Sequence, residues 1–417
     1  MTKLNEDIFL IAAVRTPIGK FGGGLSSLTA AQLGTASARA TIERSGVDPR
    51  KIDEVIFGNA RQAGVGPNIA RQVAIKSGLA HEVPAYTVNQ ACGSGLRAIM
   101  NAADQIRLGA AEIILAGGTE SMSNTPYLLP RARWGYRMGN DEVIDGMYRD
   151  GFMCPLADEM MGSTAETLAE RYGISRDEQD RFAMESQAKA GRAYDANAFS
   201  AELVPVTLDG RKGQQVVDRD EHPRFDTDLG SLAKLPPVFR KNGSVHAGNS
   251  SGVTDGASSM LVARGDTMME LGLTPMARIV GYAQAGVDPK VMGLGPVPAT
   301  KKLLNETGIA LDDIDLVELN EAFAAQVIAC DRELHFNPAK LNVNGGAISL
   351  GHPIGATGAR ITTTLLHALA ARNGRYGLAT LCISGGMGLS LLVERRRPRA
   401  AALDRTASAT GFAADHG

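Results

Sequence analysis

The sequence contains little cysteine, little net charge and no long apolar run, and each shortage excludes a class of protein. Its 417 residues include four cysteines, with no C-x-x-C pair among them, so we expect neither a disulfide framework nor a metal site. A formal net charge of −2 lacks the basic excess that nucleic-acid and membrane-surface binding require. No apolar run approaches the roughly 18 residues of a membrane-spanning helix. We therefore expect no nucleic-acid partner and no membrane partner.

The first residues also lack a targeting signal. Two acidic residues, Glu6 and Asp7, precede a short apolar run, which is the pattern of neither a signal peptide nor a transit peptide. We therefore expect a cytoplasmic location.

Glycine, by contrast, is abundant, and its 48 residues cluster at the ends of short β-branched runs. The run DEVIFGNA, residues 53–60, is followed by the helical pattern NIARQVAIKSG, and EIILAGGTESM, residues 112–122, enters a glycine turn. Strands that alternate with helices in this way predict an α/β fold.

The plan of the first part recurs beyond residue 275. MARIVGYAQAG stands where DIFLIAAVRTP stood, DIDLVELNEAF follows the pattern of KIDEVIFGNAR, and GATGARITTTLL repeats CGSGLRAIMNAA. Asp315 then aligns with Asp53, and Gly355 aligns with Cys92, at a nearly constant offset. Elements repeated in the same order indicate an internal duplication.

The duplication predicts the domain organisation. Residues 1–122 form an N-terminal half that residues 253–272 complete, and residues 273–394 form the C-terminal half. Residues 123–252, which contain the single tryptophan and many charged residues, are expected to be an inserted loop domain. Ser175 and Glu178 within it match a capping box at a helix start. Residues 395–417 lack periodicity and are expected to form a mobile tail.

Glycine-rich turns carry four side chains with catalytic potential. They are the cysteine of NQACGSG, the asparagine of NEAF, the histidine of LGHPIG and the cysteine of LCISGGMG, which are Cys92, Asn320, His352 and Cys382. Strand ends of an α/β sheet are where sites form, and helix starts favour thiolates and oxyanions. From the residues alone, each cysteine is equally compatible with a small buried hydrophobe, and Gly-His-Pro with a simple turn.

Seven stretches in order resemble the thiolase family, the acetyl-CoA acetyltransferases and 3-ketoacyl-CoA thiolases. The resemblance extends from residue 5 to about residue 394, and its motifs are NQACGSGLRA, GGTESMS, MGSTAE, AGNSSGVTDGA, NEAFAAQ, NVNGGAISLGHPIGATGAR and LCISGGMG. It implies a five-layered αβαβα fold with two similar mixed-sheet halves and a loop-domain insertion. It also implies reversible, CoA-dependent cleavage or Claisen condensation of 3-ketoacyl-CoA by a ping-pong mechanism.

The resemblance implies a role for each candidate. Cys92 would be the nucleophile that accepts the acyl group, and His352 would take its proton. Cys382 would be the second acid and base. Asn320 would hold a water that, with His352, forms one oxyanion hole, and the backbone N–H groups of Cys92 and Ser384 would form another. No metal and no permanently bound cofactor is implied, since coenzyme A and acyl-CoA act as substrates.

The inserted loop domain would bind coenzyme A and support oligomerisation. Arg224 and Ser231 would meet the nucleotide end, where arginine suits phosphate and adenine. Ser251 would bind the pantetheine, in a tunnel lined by Phe239, Ala247, Met292 and Phe323. The stretch SMSNTPYLLPRARWGYRMG would serve a homodimer or homotetramer, because a monomer would expose its apolar side chains.

Two positions depart from the motifs that the chain resembles. Met160 stands where short-chain members have histidine, and with Phe152 it would line the acyl pocket, as in degradative enzymes that take medium or long chains. Ser384 replaces a glycine and would be strained if its φ were positive. Acyl chain length and physiological direction therefore stay open. A decarboxylating ketosynthase, a more remote alternative, would want histidine in place of Cys382 and Asn320.

Overall fold

The computed structural model describes residues 7–210 and 213–395, and a large mixed β-sheet dominates it. The strands are β1 Ile8–Arg15, β2 Gly19–Lys20, β3 Glu54–Gly58, β4 Ala85–Val88, β5 Ile113–Ser121, β6 Tyr127–Leu128, β7 Ile144–Asp145, β8 Met153–Cys154, β9 Glu159–Met160, β10 Val206–Gly210, β11 Gly213–Val217, β12 Thr254–Arg264, β13 Ala277–Gly286, β14 Leu316–Leu319, β15 Tyr376–Ile383 and β16 Met387–Glu394.

The helices lie on the faces of this sheet and in the segment between β5 and β12. They are α1 Ala30–Ser45, α2 Ile69–Lys76, α3 Ser94–Arg107, α4 Met161–Tyr172, α5 Arg176–Asp195, α6 Leu229–Ala233, α7 Gly265–Glu270, α8 Pro296–Thr307, α9 Ala324–Leu334, α10 Ala347–Leu350 and α11 Ile354–Ala371. Within the described ranges, none of them is both long and apolar enough to cross a membrane.

The sheet consists of two halves with the same internal order. One half runs β4-β3-β5-β12-β1 and the other β13-β16-β15-β14, and they meet where β1 pairs antiparallel with β13. In each half a parallel pair, β3 with β5 or β14 with β15, is followed by antiparallel strands. The predicted duplication is therefore confirmed in the strand topology.

Equivalent aspartates fix equivalent strands in the two halves. Asp53 Oδ2 accepts the backbone N–H groups of Glu112 and Ile113 at 2.7 and 2.9 Å. Asp315 Oδ2 accepts those of Arg375 and Tyr376 at 2.7 and 2.9 Å. Each carboxylate thus accepts the hydrogen bonds of the N–H groups where the neighbouring strand begins. This shared role explains why both halves carry an aspartate at this position.

Five layers follow from where the apolar faces are buried. Helices α3 and α11 share one core with both halves of the sheet. Helices α1 and α2 cover the outer face of the N-terminal half, and α8 and α9 cover the outer face of the C-terminal half. The αβαβα layering expected from the sequence is confirmed.

The two central helices touch along their backbones. A Cβ on Gly95 of α3 would lie 2.8 Å from the backbone N of Ala359 in α11. A Cβ on Gly358 of α11 would overlap with the backbone N of Leu96. Because only glycine permits this approach, the starts of α3 and α11 are brought together, and the residues just before them meet.

The segment between β5 and β12 carries α4, α5, α6 and the small strands β6 to β11. Helix α5 begins where the sequence predicts, with Ser175 Oγ accepting the Glu178 backbone N–H at 3.2 Å. The Glu178 side chain does not bond back to the Ser175 N–H, as a complete capping box requires. Its carboxylate instead accepts hydrogen bonds from the Arg332 guanidinium at 2.8 and 2.9 Å.

The predicted tail, beyond Arg395, lies outside the described residues, and the domain boundaries stay a prediction.

We expect Gly358→Ala to destabilise the protein by about 1–3 kcal/mol, because the added methyl must separate α3 from α11. The matched control is Gly191→Ala in α5, where a Cβ would meet only Phe225, at 3.4 Å; it should be neutral or slightly stabilising. Urea unfolding measures both. Equal effects at the two positions would show that the helix contact is not tight.

Candidate active site

Cys92 lies in a tight turn between β4 and α3. Ser94 Oγ accepts the Gln90 N–H at 2.9 Å and donates to the Ala91 carbonyl at 2.6 Å. Ala91 has a left-handed backbone with φ of 45°, a conformation that costs a non-glycine residue about 1–2 kcal/mol. The turn therefore holds Cys92, half-buried, at the start of α3.

The surroundings of Cys92 act on its thiol in opposite directions. Burial is the largest influence and raises the pKa of Cys92. Arg61 and the nearby backbone N–H groups of Ser384 and Cys92 lower that pKa, and Glu120 raises it. Because burial prevails, the thiol keeps its proton at rest.

His352 supplies a nitrogen with no partner. Its Nδ1 lies 2.6 Å from Thr357 Oγ1, whereas its buried Nε2 has no hydrogen-bond partner among the described residues. Burial, together with Arg360 and Arg61, lowers the pKa of His352 to about 3. The imidazole is therefore neutral at physiological pH, which is the form that can accept a proton.

Asn320 and Cys382 stand at the ends of neighbouring strands, β14 and β15. Both are buried, and the Asn320 backbone N–H donates to the Thr380 carbonyl at 3.0 Å. Neither side-chain atom of the Asn320 amide has a hydrogen-bond partner in the part of the chain that the structure describes. Burial and then the neighbouring Cys92 raise the pKa of Cys382 well above its usual value. The thiol of Cys382 is therefore a proton donor at rest.

One cavity gathers most of the predicted site. Its lining includes eight residues that the sequence identifies and six that it does not. The identified ones are Cys92, Phe152, Ser251, Met292, Phe323, His352, Cys382 and Ser384; the others are Arg61, Ala91, Gly151, Met161, Ala322 and Ile354.

Met160 is not among the residues that line this cavity; its neighbour Met161 is. Met160 pairs with Met153 in the β8–β9 ladder and precedes the first residue of α4. Phe239 also lies outside the lining but packs edge-on against Phe323, with ring centroids 6.1 Å apart. These two residues therefore support the cavity wall from behind.

Arg224, Ser231 and Ala247 line a second cleft rather than the cavity of Cys92. Ser231 Oγ is engaged at the start of α6, where it donates to the Asp228 carbonyl at 2.8 Å. The chain from Ala247 to Ser251 runs from the cleft to the cavity, and the Ser251 N–H donates to the Ala322 carbonyl at 2.9 Å. Six of the seven residues expected to bind coenzyme A thus line two neighbouring hollows connected by one segment, and Phe239 packs behind Phe323.

The backbone strain considered for Ser384 is absent. The left-handed φ values of this turn fall on Gly385 and Gly386, both 87°, and Ser384 is not among the described residues with positive φ. Serine is therefore unstrained at a position where the family motif has glycine.

The remaining cysteines are buried and bonded. Cys330 Sγ donates to the Gly293 carbonyl at 3.1 Å, and burial raises its pKa to about 12. Cys154 Sγ accepts the Ala157 N–H at 3.4 Å. Both contacts are those of structural thiols rather than reactive ones.

Glu120 is a site residue that the sequence reasoning missed. Its buried carboxylate accepts N–H groups from Ala60 at 3.0 Å, Arg61 at 3.1 Å and Gly355 at 2.8 Å, and the Asn59 amide at 2.8 Å. It therefore ties the end of β3 to the first turn of α11. A glutamate directly after the glycines of a buried strand was the available signal, but its partners are distant in sequence.

Comparisons with known proteins agree with this geometry. The model of the thiolase N-terminal domain matches residues 8–266, and that of the thiolase C-terminal domain matches residues 273–395. The acetyl-CoA acetyltransferase of Escherichia coli strain K12 is 51% identical over 391 residues, covering 94% of this chain and 99% of the relative.

The chain is also similar to solved structures of thiolases. The acetyl-CoA acetyltransferase of Bacillus anthracis superimposes with a TM-score of 0.92 at 45% identity, over 94% of this chain and 99% of its own. Human mitochondrial 3-ketoacyl-CoA thiolase in complex with CoA gives a TM-score of 0.90 at 42% identity, again over 94% and 99%. The chain belongs to the thiolase family of acyltransferase enzymes.

Proposed function

We propose that the protein catalyses reversible, CoA-dependent cleavage and condensation of 3-ketoacyl-CoA through an acyl group carried on Cys92. The observation that carries the proposal is one cavity that holds two thiols, Cys92 and Cys382, together with the neutral His352 whose Nε2 has no partner. The similar enzymes from Escherichia coli and Bacillus anthracis, named acetyl-CoA acetyltransferases, support it.

The contacts of Thr357 support Nε2 of His352 as the base. The Thr357 hydroxyl lies 3.1 Å from the Pro353 carbonyl and can donate its only hydrogen there. In that arrangement its oxygen accepts the hydrogen of His352 Nδ1 at 2.6 Å, which leaves a lone pair on Nε2. Nε2 can then take the thiol proton of Cys92 as the sulfur attacks.

Hydrogen-bond donors surround the place where negative charge would develop on the substrate. The backbone N–H groups of Cys92 and Ser384 lie close enough to the Cys92 sulfur to lower its pKa, so they would be donors for an oxygen on a carbon bound to that sulfur. The Asn320 amide, with neither atom engaged, would hold a water that together with His352 forms the second oxyanion hole.

The Cys382 thiol would supply the proton that the leaving carbanion needs. In cleavage, Cys92 adds to the C3 carbonyl of the 3-ketoacyl-CoA, and the C2–C3 bond breaks with its electron pair remaining on C2. Cys382 donates its proton to that carbanion, which leaves as acetyl-CoA. Cys382, now a thiolate, takes the proton of a CoA thiol that attacks the acyl-cysteine. His352 returns its proton to the departing Cys92 sulfur, and the acyl-CoA leaves. Condensation is the reverse.

The two neighbouring hollows suit the two ends of coenzyme A. The cleft with Arg224, Ser231 and Ala247 would take the nucleotide end, and Ser251, Met292 and Phe323 would line the path of the pantetheine. The solved CoA complex of the human mitochondrial thiolase supports this assignment. The protein would need no permanently bound cofactor.

The exposed side chains of the inserted segment suit the proposed homodimer or homotetramer. Trp134 is 85% exposed and Met138 is 99% exposed in the single chain, and Tyr127 and Leu129 are also exposed. Burying such a surface between copies of the chain would be favourable. A cytoplasmic location accords with acyl-CoA substrates.

Three cysteine variants test the proposal. Acetyl-CoA should add about 42 Da to Cys92, and Cys92→Ser should abolish the adduct. Cys382→Ser should retain the adduct but lose condensation and thiolysis, because the carbanion then lacks its acid. Cys330→Ser, the buried control, should retain both. Mass spectrometry of the intact protein and turnover assays measure these outcomes; a folded wild type without an adduct would refute the mechanism.

Thr357→Val should lower the rate of Cys92 acylation by about tenfold or more, because His352 loses the acceptor that holds its tautomer. Thr357→Ser, which keeps the hydroxyl, should restore the rate. The control is Thr362→Val in the same helix, whose hydroxyl donates only to the Gly358 carbonyl. Rapid-quench acylation measures the three. If serine fails to rescue the rate, the role of Thr357 is packing.

A thiolysis series from C4 to C16 3-ketoacyl-CoA tests chain length. We expect kcat/KM to fall steeply beyond short chains, because Phe152 and Met161 close the cavity. Phe152→Ala should shift the optimum to longer chains. A flat or rising profile of the wild type would instead favour a degradative enzyme for medium or long chains.

A further inference from the structure

Arg61 is a cation in the cavity of Cys92 that the reaction described above does not use. It follows β3, is 6% exposed, and lines the cavity together with Cys92 and His352. One guanidinium nitrogen donates to the Asp150 carbonyl at 3.2 Å, and Nε has no hydrogen-bond partner within the described residues. No carboxylate in the described ranges forms an ion pair with this guanidinium.

The inserted loop domain holds this guanidinium in place. A Cβ on Gly151 would overlap with the guanidinium of Arg61, so residues 150–152 lie directly against it. The adjacent Phe152 also lines the cavity. Arg61 is therefore part of the cavity wall.

The charge of Arg61 acts inside the cavity. It lowers the pKa of Cys92, of His352 and of Glu120. The charge of Arg61 lowers the pKa of Glu120 more than any of the N–H groups that Glu120 accepts, but the oxygens of Glu120 bond to those N–H groups and not to the guanidinium. A buried cation without a direct carboxylate partner is costly, and an anion that arrives with the substrate would offset that cost.

We propose that Arg61 forms a carboxylate subsite, which selects 3-ketoacyl-CoA substrates whose acyl chain ends in a carboxylate. The inference rests on the proposed function. The planar guanidinium binds carboxylates through two parallel hydrogen bonds. The phosphates of coenzyme A have their own arginine in the cleft of Arg224, so the anion at Arg61 belongs to the acyl end.

A matched pair of substrates tests the subsite without any variant. 3-Oxohexanedioyl-CoA and 3-oxohexanoyl-CoA have the same chain length and differ only in a terminal carboxylate or methyl. For the wild type we expect kcat/KM for thiolysis to be about tenfold or more higher with the carboxylate. Equal values, or a preference for the methyl, would overturn the proposal.

Two variants assign the preference to Arg61. Arg61→Leu should reverse it, losing the carboxylate substrate and retaining the methyl one, and Arg61→Lys should keep part of it because the charge remains. An equal loss on both substrates in Arg61→Leu would show that the guanidinium serves Cys92 instead, which overturns the proposal. If Arg61→Leu does not fold, the wild-type pair and Arg61→Lys still decide.

The acyl adduct separates this inference from the function on which it rests. Wild type that acquires an acetyl group on Cys92 and cleaves acetoacetyl-CoA, but does not prefer the carboxylate substrate, retains the proposed function and refutes the subsite. Wild type that acquires no adduct from acetyl-CoA, succinyl-CoA or butyryl-CoA refutes the function itself.

Discussion

The contact between the backbones of α3 and α11 is the constraint on which the site depends. Gly95 and Gly358 leave no side chain between the two helices, so the turns that precede them must converge. Cys92 comes before one helix and His352 before the other, and Glu120 fastens this junction by accepting the Gly355 N–H. A thiol from one half of the duplicated chain thereby meets an imidazole from the other in one cavity.

The same packing sets the electrostatics of the reaction. Burial raises the pKa of Cys92 and lowers that of His352, so both are neutral before substrate arrives. A thiolate–imidazolium pair at rest is disfavoured by this burial. In the mechanism that we propose, charge is instead created when the sulfur attacks, next to the backbone N–H groups of Cys92 and Ser384. A site of this kind favours the transition state over a resting ion pair.

Sequence alone could predict what local pattern encodes. The duplication could be predicted because Asp53 and Asp315, which accept equivalent backbone N–H groups, recur at equivalent positions in the sequence. The glycine-rich turns indicated the four candidate side chains. Contacts between residues distant in sequence could not be predicted. Arg61 reaches the cavity only because the distant Gly151 passes over it. Glu178 does not complete its capping box because Arg332, far along the chain, takes its carboxylate. Likewise, which of Met160 and Met161 faces the cavity depends on the β8–β9 pairing.

The two halves differ where the chemistry requires it. Gly355 occupies the position equivalent to Cys92, and a Cβ there would lie 2.8 Å from the Thr119 carbonyl oxygen and from Cα of Asn59, so no side chain could stand there. Its N–H is committed to Glu120. Asn320, at the end of β14, aligns with Gly58 at the end of β3, where a Cβ would overlap with the backbone of Ser94 and Gly95. At each of these paired positions the half that carries glycine is the one in which neighbouring backbone leaves no room for a side chain, and the other half carries the cysteine or the asparagine.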